Sequence, residues 1–590
     1  MHLLAATPGT ILDGEEAVDL GQTPGDIVIL SAADSELAGL ARARRDDGPS
    51  LRLANVMSLG HNMSVDIYVE DIIARAKLVI IRLLGGSGYW AYGVEQVAAT
   101  CRERGIPLAL LPGDDQPDPE LAALCTLPEA SWHRLWQYFV HGGAENFRNL
   151  LAYAGTLAGR ETPHIEPLPL PRAGLYWPGE SVATIDDLRS HWQSDAPTAA
   201  LVFYRALTQA DDLAPIDALI AALGERSINA LPIFVASLKD PVSAATLEAL
   251  LGEAPPSVIV NATGFAVSRP GAPATSPLDG CGVPVLQAIL SGGSERAWCG
   301  GTSGLSARDI AMNVSLPEVD GRIITRAISF KSEARYDEAA EIFLRAHAPV
   351  ADRVAFVAEL AQAWCRLSQT PTGERRVALV LANYPNRDGR LGNGVGLDTP
   401  ASAQGLLEAM AEAGYRVEDM PEDGRALIER LAEGPTNALA GRAARVGGVR
   451  YPLADYRNFF DALPEGARNA VSARWGEPEA DPFVEGDAFL MPAHRLGNVA
   501  LCLQPARGYN IDPASTYHDP DLVPPHGYLA FYAWLRTDFA CHAVVDMGKH
   551  GNLEWLPGKA LALSETCFPE VAFGPLPHLY PFVVNDPGEG

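Results

Sequence analysis

The chain has 590 residues, of which 47% are hydrophobic and 20% are charged. This is the composition of an ordinary globular protein, and it excludes intrinsic disorder, a collagen-like repeat or a disulfide scaffold as a description of the whole chain. At roughly 150 residues per domain, the length predicts about four domains. The formal net charge of −28 excludes a broad nucleic-acid-binding face, which needs clustered cations, and favours a cationic partner or a bound metal.

The cysteines and the first residues indicate a cytoplasmic protein. None of the eight cysteines forms a pair with the two-residue spacing of a zinc ribbon or a redox dithiol, so we expect reduced thiols. The first residues have no basic region ahead of their short apolar run, which a signal peptide would have. No apolar run approaches the roughly 20 residues that cross a bilayer, and we expect no membrane association.

Short β-branched runs alternate with glycine- or proline-rich turns and with stretches of helical spacing. Near-continuous apolar runs are typical of strands that are covered on both faces, as in parallel α/β sheets. Apolar residues recur at helical spacing in 216–223 and 403–413. The pattern predicts an α/β fold with several parallel-sheet domains and helical insertions. The predicted strands cover residues 26–31, 78–83, 200–204, 231–235, 257–260 and 377–381.

Shifts in composition divide the chain into five predicted parts. Trp132, Trp136, Tyr138 and Phe139 recur at helical spacing, for which we expect core packing, and residues 163–178 are proline-rich. The loop-like polar end of the chain predicts a longer polypeptide. The parts are an N-terminal α/β domain 1–130, a helical segment and proline-rich linker 131–195, a second α/β domain 196–330, a helical connector 331–372 and a third α/β region 373–590.

Neither Gly-Lys pair of the chain belongs to a phosphate-binding P-loop. Gly548-Lys549 and Gly558-Lys559 lack the upstream glycine and the downstream hydroxyl residue with which a P-loop holds phosphate and Mg²⁺. If the function requires ATP, we expect another chain to hydrolyse it.

The segment 546–559 carries the densest group of polar side chains. Its glycines and Pro557 favour a strand that runs into a polar turn, which places His550 and Glu554 at the carboxyl end of a strand. Open α/β sheets bind their ligands at this end. Imidazole and carboxylate together suit Co²⁺ or Zn²⁺, and either group accepts a proton near neutral pH. A surface turn with a capping histidine is the alternative.

Two loops offer groups that can hold an anionic ligand. The glycine-rich loop 383–398 carries Asn393 and also Arg387 and Arg390, which can each clamp a carboxylate through two hydrogen bonds. Arg507 and Tyr509 follow the strand-like run 498–503. A solvated loop is the alternative for the first of these segments.

Two other features are compatible with a pocket. His526 precedes an aromatic helix at 528–535, where it either faces a pocket or is a buried structural histidine. In the first half of the chain, 60–66 and 88–95 combine glycines and aromatic residues, which can line a cleft for a large planar ligand.

Taken together, these segments resemble the CobN/magnesium chelatase family, the large subunits of cobaltochelatases and, more distantly, of magnesium chelatases. The resemblance covers essentially the whole chain and includes 63–66, 83–90 and 307–322. It is strongest in segments 382–399, 504–512, 524–526 and 548–559.

The resemblance implies a function. Family members insert a divalent metal into a tetrapyrrole. For this chain the expected reaction is a ligase reaction that inserts Co²⁺, the substrate metal, into hydrogenobyrinic acid a,c-diamide in aerobic cobalamin biosynthesis. The expected partners are AAA+ ATPase subunits of the CobS and CobT type, which hydrolyse the ATP that this chain does not bind.

The resemblance carries over His526, His550 and Glu554 as functional residues, with Asn585 and Glu589 as weaker candidates. As a mechanistic hypothesis, Glu554 is expected to act as the base, His550 to present the metal or relay a proton, and Asp546 to assist. The expected metal ligands are His550, Glu554 and His526. The expected macrocycle-binding residues are Arg387, Arg390, Asn393, Arg507, Tyr509 and His526.

Two departures from the family pattern bear on these roles. Family members extend considerably further than this chain, and they usually have histidine where this chain has Asp546. The alternative functions are a magnesium-chelatase-H-like porphyrin-binding subunit, a non-catalytic tetrapyrrole carrier and a metal-dependent hydrolase that uses His550 and Glu554.

Overall fold

Three sheets with mainly parallel strands organise the part of the chain that the structure describes. The computed structural model describes residues 4–5, 17–180, 183–269, 271, 275–331, 335–383, 391–392, 396–442, 445, 447–508, 519–548 and 551–581. The predicted α/β fold with several domains is confirmed, and each predicted strand lies in one of the three sheets. Within the described ranges, no helix is both long and apolar enough to cross a membrane.

The first unit is a four-stranded parallel sheet with helices on both faces. Its strands are a separate short pair and the four sheet strands, namely β1 (Leu4–Ala5), β2 (Val18–Asp19), β3 (Ile27–Ser31), β4 (Leu51–Asn55), β5 (Leu78–Leu83) and β6 (Leu108–Pro112). Its helices are α1 (Asp34–Ala43), α2 (Asn62–Asp71), α3 (Ala91–Arg104), α4 (Pro119–Leu124), α5 (Glu129–His141) and α6 (Gly143–Leu157). The sheet order is β4-β3-β5-β6, with α2 and α3 on one face and α1, α5 and α6 on the other.

The aromatic helix α5 is part of this first unit. Trp132, Trp136, Tyr138 and Phe139 are buried against the sheet, as predicted, and the Trp132 indole donates to the Leu110 carbonyl at 2.8 Å. The predicted helical segment 131–195 therefore does not stand apart, because its first half completes the first core.

The second unit contains a seven-stranded sheet in the order β15-β12-β11-β10-β8-β9-β7. The strands of the sheet are β7 (Ala173–Leu175), β8 (Thr198–Tyr204), β9 (Asn229–Val235), β10 (Val258–Asn261), β11 (Val285–Ser291), β12 (Ile323–Lys331) and β15 (His347–Pro349). Between β12 and β15, β13 (Arg335–Asp337) and β14 (Ile342–Leu344) form a separate hairpin. Its helices are α7 (Ile185–His191), α8 (Arg205–Ala210), α9 (Ala214–Glu225), α10 (Pro241–Glu253), α11 (Glu295–Gly300), α12 (Ala307–Ile310), α13 (Leu316–Val319) and α14 (Ala351–Gln369). The edge strands β7 and β15 are antiparallel to their neighbours, and the other neighbouring pairs are parallel.

The predicted helical connector 331–372 is helical only in its second half, where α14 lies. Before it, β13 and β14 form a hairpin that reaches back to the first unit. There the Leu53 amide at the sheet edge donates to the Ala340 carbonyl at 3.3 Å, and Arg52 pairs with Glu341 at 2.8 Å. The prediction was wrong for this part because these tertiary contacts, absent from local sequence, decide its conformation.

The third unit carries a five-stranded sheet in the order β20-β21-β16-β22-β23 and a small antiparallel sheet in the order β17-β19-β18. The strands are β16 (Val377–Leu381), β17 (Val449–Pro452), β18 (Val484–Glu485), β19 (Ala488–Met491), β20 (Ala493–Leu496), β21 (Val499–Leu503), β22 (Ala543–Met547) and β23 (His578–Leu579). The helices are α15 (Thr399–Glu412), α16 (Gly424–Glu433), α17 (Leu453–Asp461), α18 (Glu465–Trp475), α19 (His526–Arg536) and α20 (Phe568–Phe573).

The C-terminal end of the motif 548–559 is anchored on the second unit. The Lys559 ammonium donates to the carbonyl oxygens of Trp298 at 2.9 Å and Cys299 at 3.1 Å, and to that of Gly301. These groups lie at the end of α11, where a helix leaves carbonyls without intrahelical partners. The ammonium also lies 4.6 Å from the centre of the Trp298 ring. Lys559 is therefore a structural anchor rather than a phosphate-binding lysine.

The residues after Lys559 extend this contact. The Trp298 indole donates to the Ala562 carbonyl at 2.9 Å, and the Ala560 amide donates to the Thr302 carbonyl at 2.8 Å. The backbone of Gly304 lies so close to that of Leu561 that a Cβ added to Gly304 would be 1.9 Å from the Leu561 carbonyl oxygen, and the φ of Gly304 is +81°. Only glycine fits this junction without displacing the chain.

Replacement of Gly304 by alanine tests this junction. Gly304→Ala should lower the free energy of unfolding by about 2 kcal/mol or more, because the new methyl group clashes with backbone and the residue has a positive φ. Calorimetry and hydrogen exchange of amides 553–562 would measure the effect. Gly300→Ala, at a position with no heavy atom within 4 Å of the added Cβ, is the control. This variant should leave the free energy of unfolding and the hydrogen exchange of amides 553–562 unchanged. Equal behaviour of the two variants would contradict the junction.

Candidate functional site

Four parallel strands of the third sheet end at one edge and bring separate segments of the chain together. In the register, Leu381 of β16 lies beside Leu503 of β21 and Met547 of β22. The loops that follow these strands begin at Ala382, Gln504 and Gly548, and Tyr580 follows β23. The predicted position of 546–559 at a strand's carboxyl end is therefore confirmed, and the segment meets the loops at 382 and 504 there.

Asp546 is a buried carboxylate in the penultimate position of strand β22. Its Oδ2 accepts a hydrogen bond from Nε2 of His578 at 2.7 Å, and His578 is the first residue of the neighbouring strand β23. The imidazole also packs against Phe573, with ring centres 4.6 Å apart, and is stacked on Tyr580. A carboxylate and an imidazole are thus held together at the sheet edge.

Tyr580 supplies a hydroxyl group to the same edge. Its oxygen accepts a hydrogen bond from the Gly551 amide at 2.7 Å. Burial raises the pKa of Tyr580 to about 12, and the negative charges of Glu554 and Asp546 add to this effect. The phenol therefore stays protonated at neutral pH, so it orients the turn and does not act as a base.

Glu554 lies in a one-turn 3-10 helix, Leu553–Trp555, and is exposed. Its carboxylate folds back over Gly551, where an added Cβ would lie 2.9 Å from Oε2. Asn552 fixes the turn: its amide donates to the Pro505 carbonyl at 2.8 Å, and its Oδ1 accepts from the buried Tyr528 hydroxyl at 2.7 Å. The base predicted from the motif therefore has a defined position with solvent access.

Gly548 allows the turn to pass close to the neighbouring strand end. Its φ is +130°, and an added Cβ would lie 2.5 Å from the Cβ of Ala382. The Ala382 amide donates to the Met547 carbonyl at 2.9 Å. A side chain at 548 would push the start of the turn away from β16.

Arg507 places a cation beside this turn. Its side chain is buried, and one Nη donates to the Asp519 carbonyl at 2.6 Å. Burial lowers the pKa of Arg507, while Tyr528, Asp519 and Glu554 counteract this effect. The guanidinium therefore contributes positive charge near Glu554 from a fixed position.

The structure places His526 in the aromatic core of the third unit. The side chain is fully buried, Nδ1 is 2.8 Å from the Tyr456 hydroxyl, and Nε2 is 3.0 Å from the Gly476 carbonyl oxygen. Burial lowers its pKa. This is the buried structural histidine that the sequence left open. A bond from His526 to metal or macrocycle would require one of these hydrogen bonds to break.

The remaining predicted site residues lie outside the described residues. These are His550, Arg387, Arg390, Asn393, Tyr509, Asn585 and Glu589. Within the part of the chain that the structure describes, no group of three or more His, Cys, Asp and Glu side chains is arranged to hold a metal ion. The expected metal-ligand set therefore stays a prediction.

The sequence analysis missed His578 and Tyr580. They lie 32 and 34 residues after Asp546, in and directly after a short strand outside the motif. Only the parallel pairing of β22 with β23 brings them to Asp546. The available signal was the apolar run 579–584, which follows helix α20 and is typical of one more strand whose end would lie at the same edge.

The cavity between these strand ends is small. It is lined by residues that include Gln504, Asp546, Gly551 and Tyr580, and its volume is about 10 Å³, room for about one water molecule. Pockets for small organic ligands usually have roughly 300 to 1,000 Å³. The described residues therefore form the floor of a site rather than a complete macrocycle pocket.

The two aromatic segments of the first unit have structural roles. The Trp90 indole donates to the Leu59 carbonyl at 2.9 Å, and the Tyr92 hydroxyl donates to Asp66 at 2.7 Å. His61 accepts from the Met63 amide at the start of α2. These contacts fasten 60–66 to 88–95, which accounts for both segments without a planar ligand.

Comparison with known proteins identifies the family. The CobN/Magnesium Chelatase family model matches residues 136–590. Aerobic cobaltochelatase subunits CobN of Sinorhizobium sp and Pseudomonas aeruginosa are 54% and 48% identical over 100% of this chain, which covers 47% of each of them. A solved structure, the catalytic subunit of cobaltochelatase from Mycobacterium tuberculosis, matches 96% of this chain and 46% of its own with a TM-score of 0.78 and 34% identity. The chain thus spans about half the length of the curated relatives that it matches, and it belongs to the CobN/magnesium chelatase family.

Proposed function

We propose that this chain is part of the large subunit of an ATP-dependent cobaltochelatase that inserts Co²⁺ into hydrogenobyrinic acid a,c-diamide in aerobic cobalamin biosynthesis. Its relatives at 54% and 48% identity carry the name cobaltochelatase subunit, which supports cobalt as the substrate metal. The observation that carries the proposal is the group of proton-accepting side chains at the edge of the third sheet. Asp546 lies there at the end of β22 and Glu554 in the turn that follows, next to a tyrosine that holds the turn in place.

Metal insertion requires a base. The corrin ring has one inner N–H bond, which breaks; the electron pair stays on the nitrogen that binds the metal, and the proton must be accepted. Glu554 is the proposed acceptor because its carboxylate is exposed while its backbone turn is fixed by Asn552 and Gly551. Such proton transfers typically contribute a factor of 10² to 10⁴ to the rate.

The cationic side of the site has a proposed role in binding the macrocycle. Arg507 lies at the end of β21 and would attract the carboxylates of the corrinoid through its charge, since its hydrogen-bonding edge already engages the Asp519 carbonyl. Arg387, Arg390, Asn393 and Tyr509 are proposed to make direct contacts, and His550 to present the metal. ATP hydrolysis is proposed to occur on AAA+ partner subunits of the CobS and CobT type.

Removal of the Glu554 charge tests the proposed base. Glu554→Gln should reduce Co²⁺ insertion by about 100-fold or more in the chelatase assembled with its ATPase subunits, because the amide cannot accept the pyrrolic proton. Binding of the metal-free corrinoid, measured by fluorescence quenching, should not change. Glu565→Gln, at an exposed glutamate further along the chain, is the control and should retain full turnover. Undiminished insertion by the Glu554 variant would remove this residue from the role, and binding without insertion by the wild-type complex would favour a carrier.

Removal of the Tyr580 hydroxyl tests the orienting role of this residue. Tyr580→Phe leaves the Gly551 amide without its acceptor, which typically costs about 1–3 kcal/mol and should lower insertion by about 10-fold or more. Since the pKa of Tyr580 is raised to about 12, the phenol does not titrate between about pH 6 and pH 10, so the variant and the wild type should share the same pH profile. A changed profile would mean that Tyr580 exchanges protons in the reaction. The exposed Tyr336→Phe is the control.

A further inference from the structure

We propose that the first and second units together form a binding site for a small zwitterion of the amino-acid type, which carries one carboxylate and one ammonium group. The site is a cavity of about 530 Å³ between the two units. This volume lies within the range of roughly 300 to 1,000 Å³ that pockets for small ligands have. The cavity lies outside the third unit, so the inference goes beyond the proposed function and does not depend on it.

Both sheets turn toward this cavity the edge at which open α/β sheets bind ligands. In the first sheet, strands are added on one side of β3 and then on the other, so the order reverses between β3 and β5. The cavity wall contains Ser35, which follows β3, and Arg82 of β5. In the second sheet the order reverses between β8 and β10, and the wall contains Arg205, which follows β8. Ligands bind outside the carboxyl ends of the strands at such reversals. Two separate sheets therefore point to one cavity.

Contacts between the units hold the two walls in place. The Gln209 side-chain amide of α8 donates to the Val140 carbonyl at the end of α5 at 2.7 Å. Gly39 of α1 lies so close to α8 that an added Cβ would be 2.7 Å from the Ala210 carbonyl oxygen. The cavity is therefore formed before a ligand enters, which lowers the cost of ordering the site on binding.

The charges that line the cavity balance. Among the described residues of the lining, three arginines face three acidic residues: Arg82, Arg172, Arg205, Glu36, Asp114 and Asp115. Arg82 pairs with Glu36, and both are thereby neutralised. Arg172 pairs with Asp240 at 3.0 Å and with Asp115 at 3.4 Å. A lining without net charge favours neither a simple anion nor a simple cation, but it suits a ligand that carries both charges.

One cation and one carboxylate of the lining are left for such a ligand. The Arg205 guanidinium is fixed by Nε, which donates to the Pro171 carbonyl at 2.8 Å, and by Nη2, which donates to that of Leu170 at 2.9 Å. Its Nη1 has no acceptor and the group has no ion pair within the described ranges. Asp114 accepts a hydrogen bond from the Gln116 amide at 3.0 Å and likewise forms no ion pair with any described residue. Arg205 can thus bind a carboxylate of the ligand, and Asp114 an ammonium group.

His141 adds a neutral donor to the lining. Its Nδ1 accepts a hydrogen bond from the Leu170 amide at 3.2 Å, so the proton of the neutral ring lies on Nε2. Burial and the positive charge of Arg205 lower the pKa of His141, so the ring stays neutral at neutral pH and leaves the charge balance unchanged. Small side chains leave room for the side chain of the ligand, namely those of Ala33, Ala206 and Ala236.

Calorimetric titration of the 590-residue chain with each of the proteinogenic L-amino acids tests the proposal. At least one of them should bind at one site per chain with a Kd of about 1 mM or tighter. The N-acetyl and the carboxamide derivatives of that amino acid each lack one charge. Each derivative should bind about 10-fold or more weakly, because it leaves Asp114 or Arg205 without its partner.

Two substitutions locate the binding. Asp114→Asn removes the carboxylate from an exposed loop, and Arg205→Gln removes the cation. Each should weaken binding of the same amino acid by about 10-fold or more. Because Arg205 also holds the wall, a thermal unfolding curve must show that its variant is folded, and Asp114→Asn decides the test if it is not. Asp46→Asn, at an exposed aspartate between α1 and β4 at the opposite edge of the first sheet, is the control and should bind as the wild type does.

The results that overturn the proposal are distinct. They are the absence of binding by every amino acid, equal binding of the parent and of its singly charged derivatives, and unchanged affinity in Asp114→Asn. Hydrogen exchange adds a measurement that needs no variant. The bound amino acid should slow exchange of amides 33–36 and 205–209, and slowing confined to the third unit would place the ligand elsewhere and also overturn the proposal.

Discussion

The parallel pairing of β16 with β21 on one side and β22 on the other is the constraint on which the site depends. Because the three strands start and end in register, their loops leave the sheet at the same edge, although the strands are far apart in sequence. β16 and β21 are completely apolar and buried, so no alternative register would improve their burial. The polar groups at the edge are then held by side chains. Asn437 illustrates this: its amide donates to the Gln504 carbonyl at 2.8 Å, and its Oδ1 accepts from the Ala506 amide at 3.3 Å.

Much of this arrangement could be predicted from the sequence, and the reason is physical. Strands buried on both faces are nearly continuous apolar runs, and ligand loops of parallel sheets follow their carboxyl ends, so both the fold class and the edge position of 546–559 could be derived. The hairpin β13–β14 could not, because its partners lie in the first unit. The pairing of Asp546 with His578 could not either, since a register between two strands separated by 30 residues is not encoded locally. For His526, the sequence indicated a helix start but not the surrounding shell of Tyr456 and Phe460.

The charge of the chain and the charge of its site differ. The net charge is −28, yet the expected macrocycle is itself anionic. Two buried arginines in this unit contact carbonyl oxygens: Arg507 contacts that of Asp519, and Arg442 contacts those of Thr436 and Leu490. A few fixed cations of this kind can create a locally attractive field within an acidic protein, because short distances and low local polarity outweigh the screened charge of the distant surface.

The proposed base and the Asp546–His578 pair are held by different parts of the structure. Asp546 and His578 both lie in the third sheet, so their contact is internal to one unit. Glu554 lies between two anchors, Gly548 against Ala382 of the third unit and Lys559 against α11 of the second unit. A displacement of the second unit relative to the third must strain or move the short segment between these anchors, and with it the Glu554 carboxylate. The Asp546–His578 pair would keep its geometry in the same motion. A force applied to the second unit would therefore change the position of Glu554 and leave this pair in place.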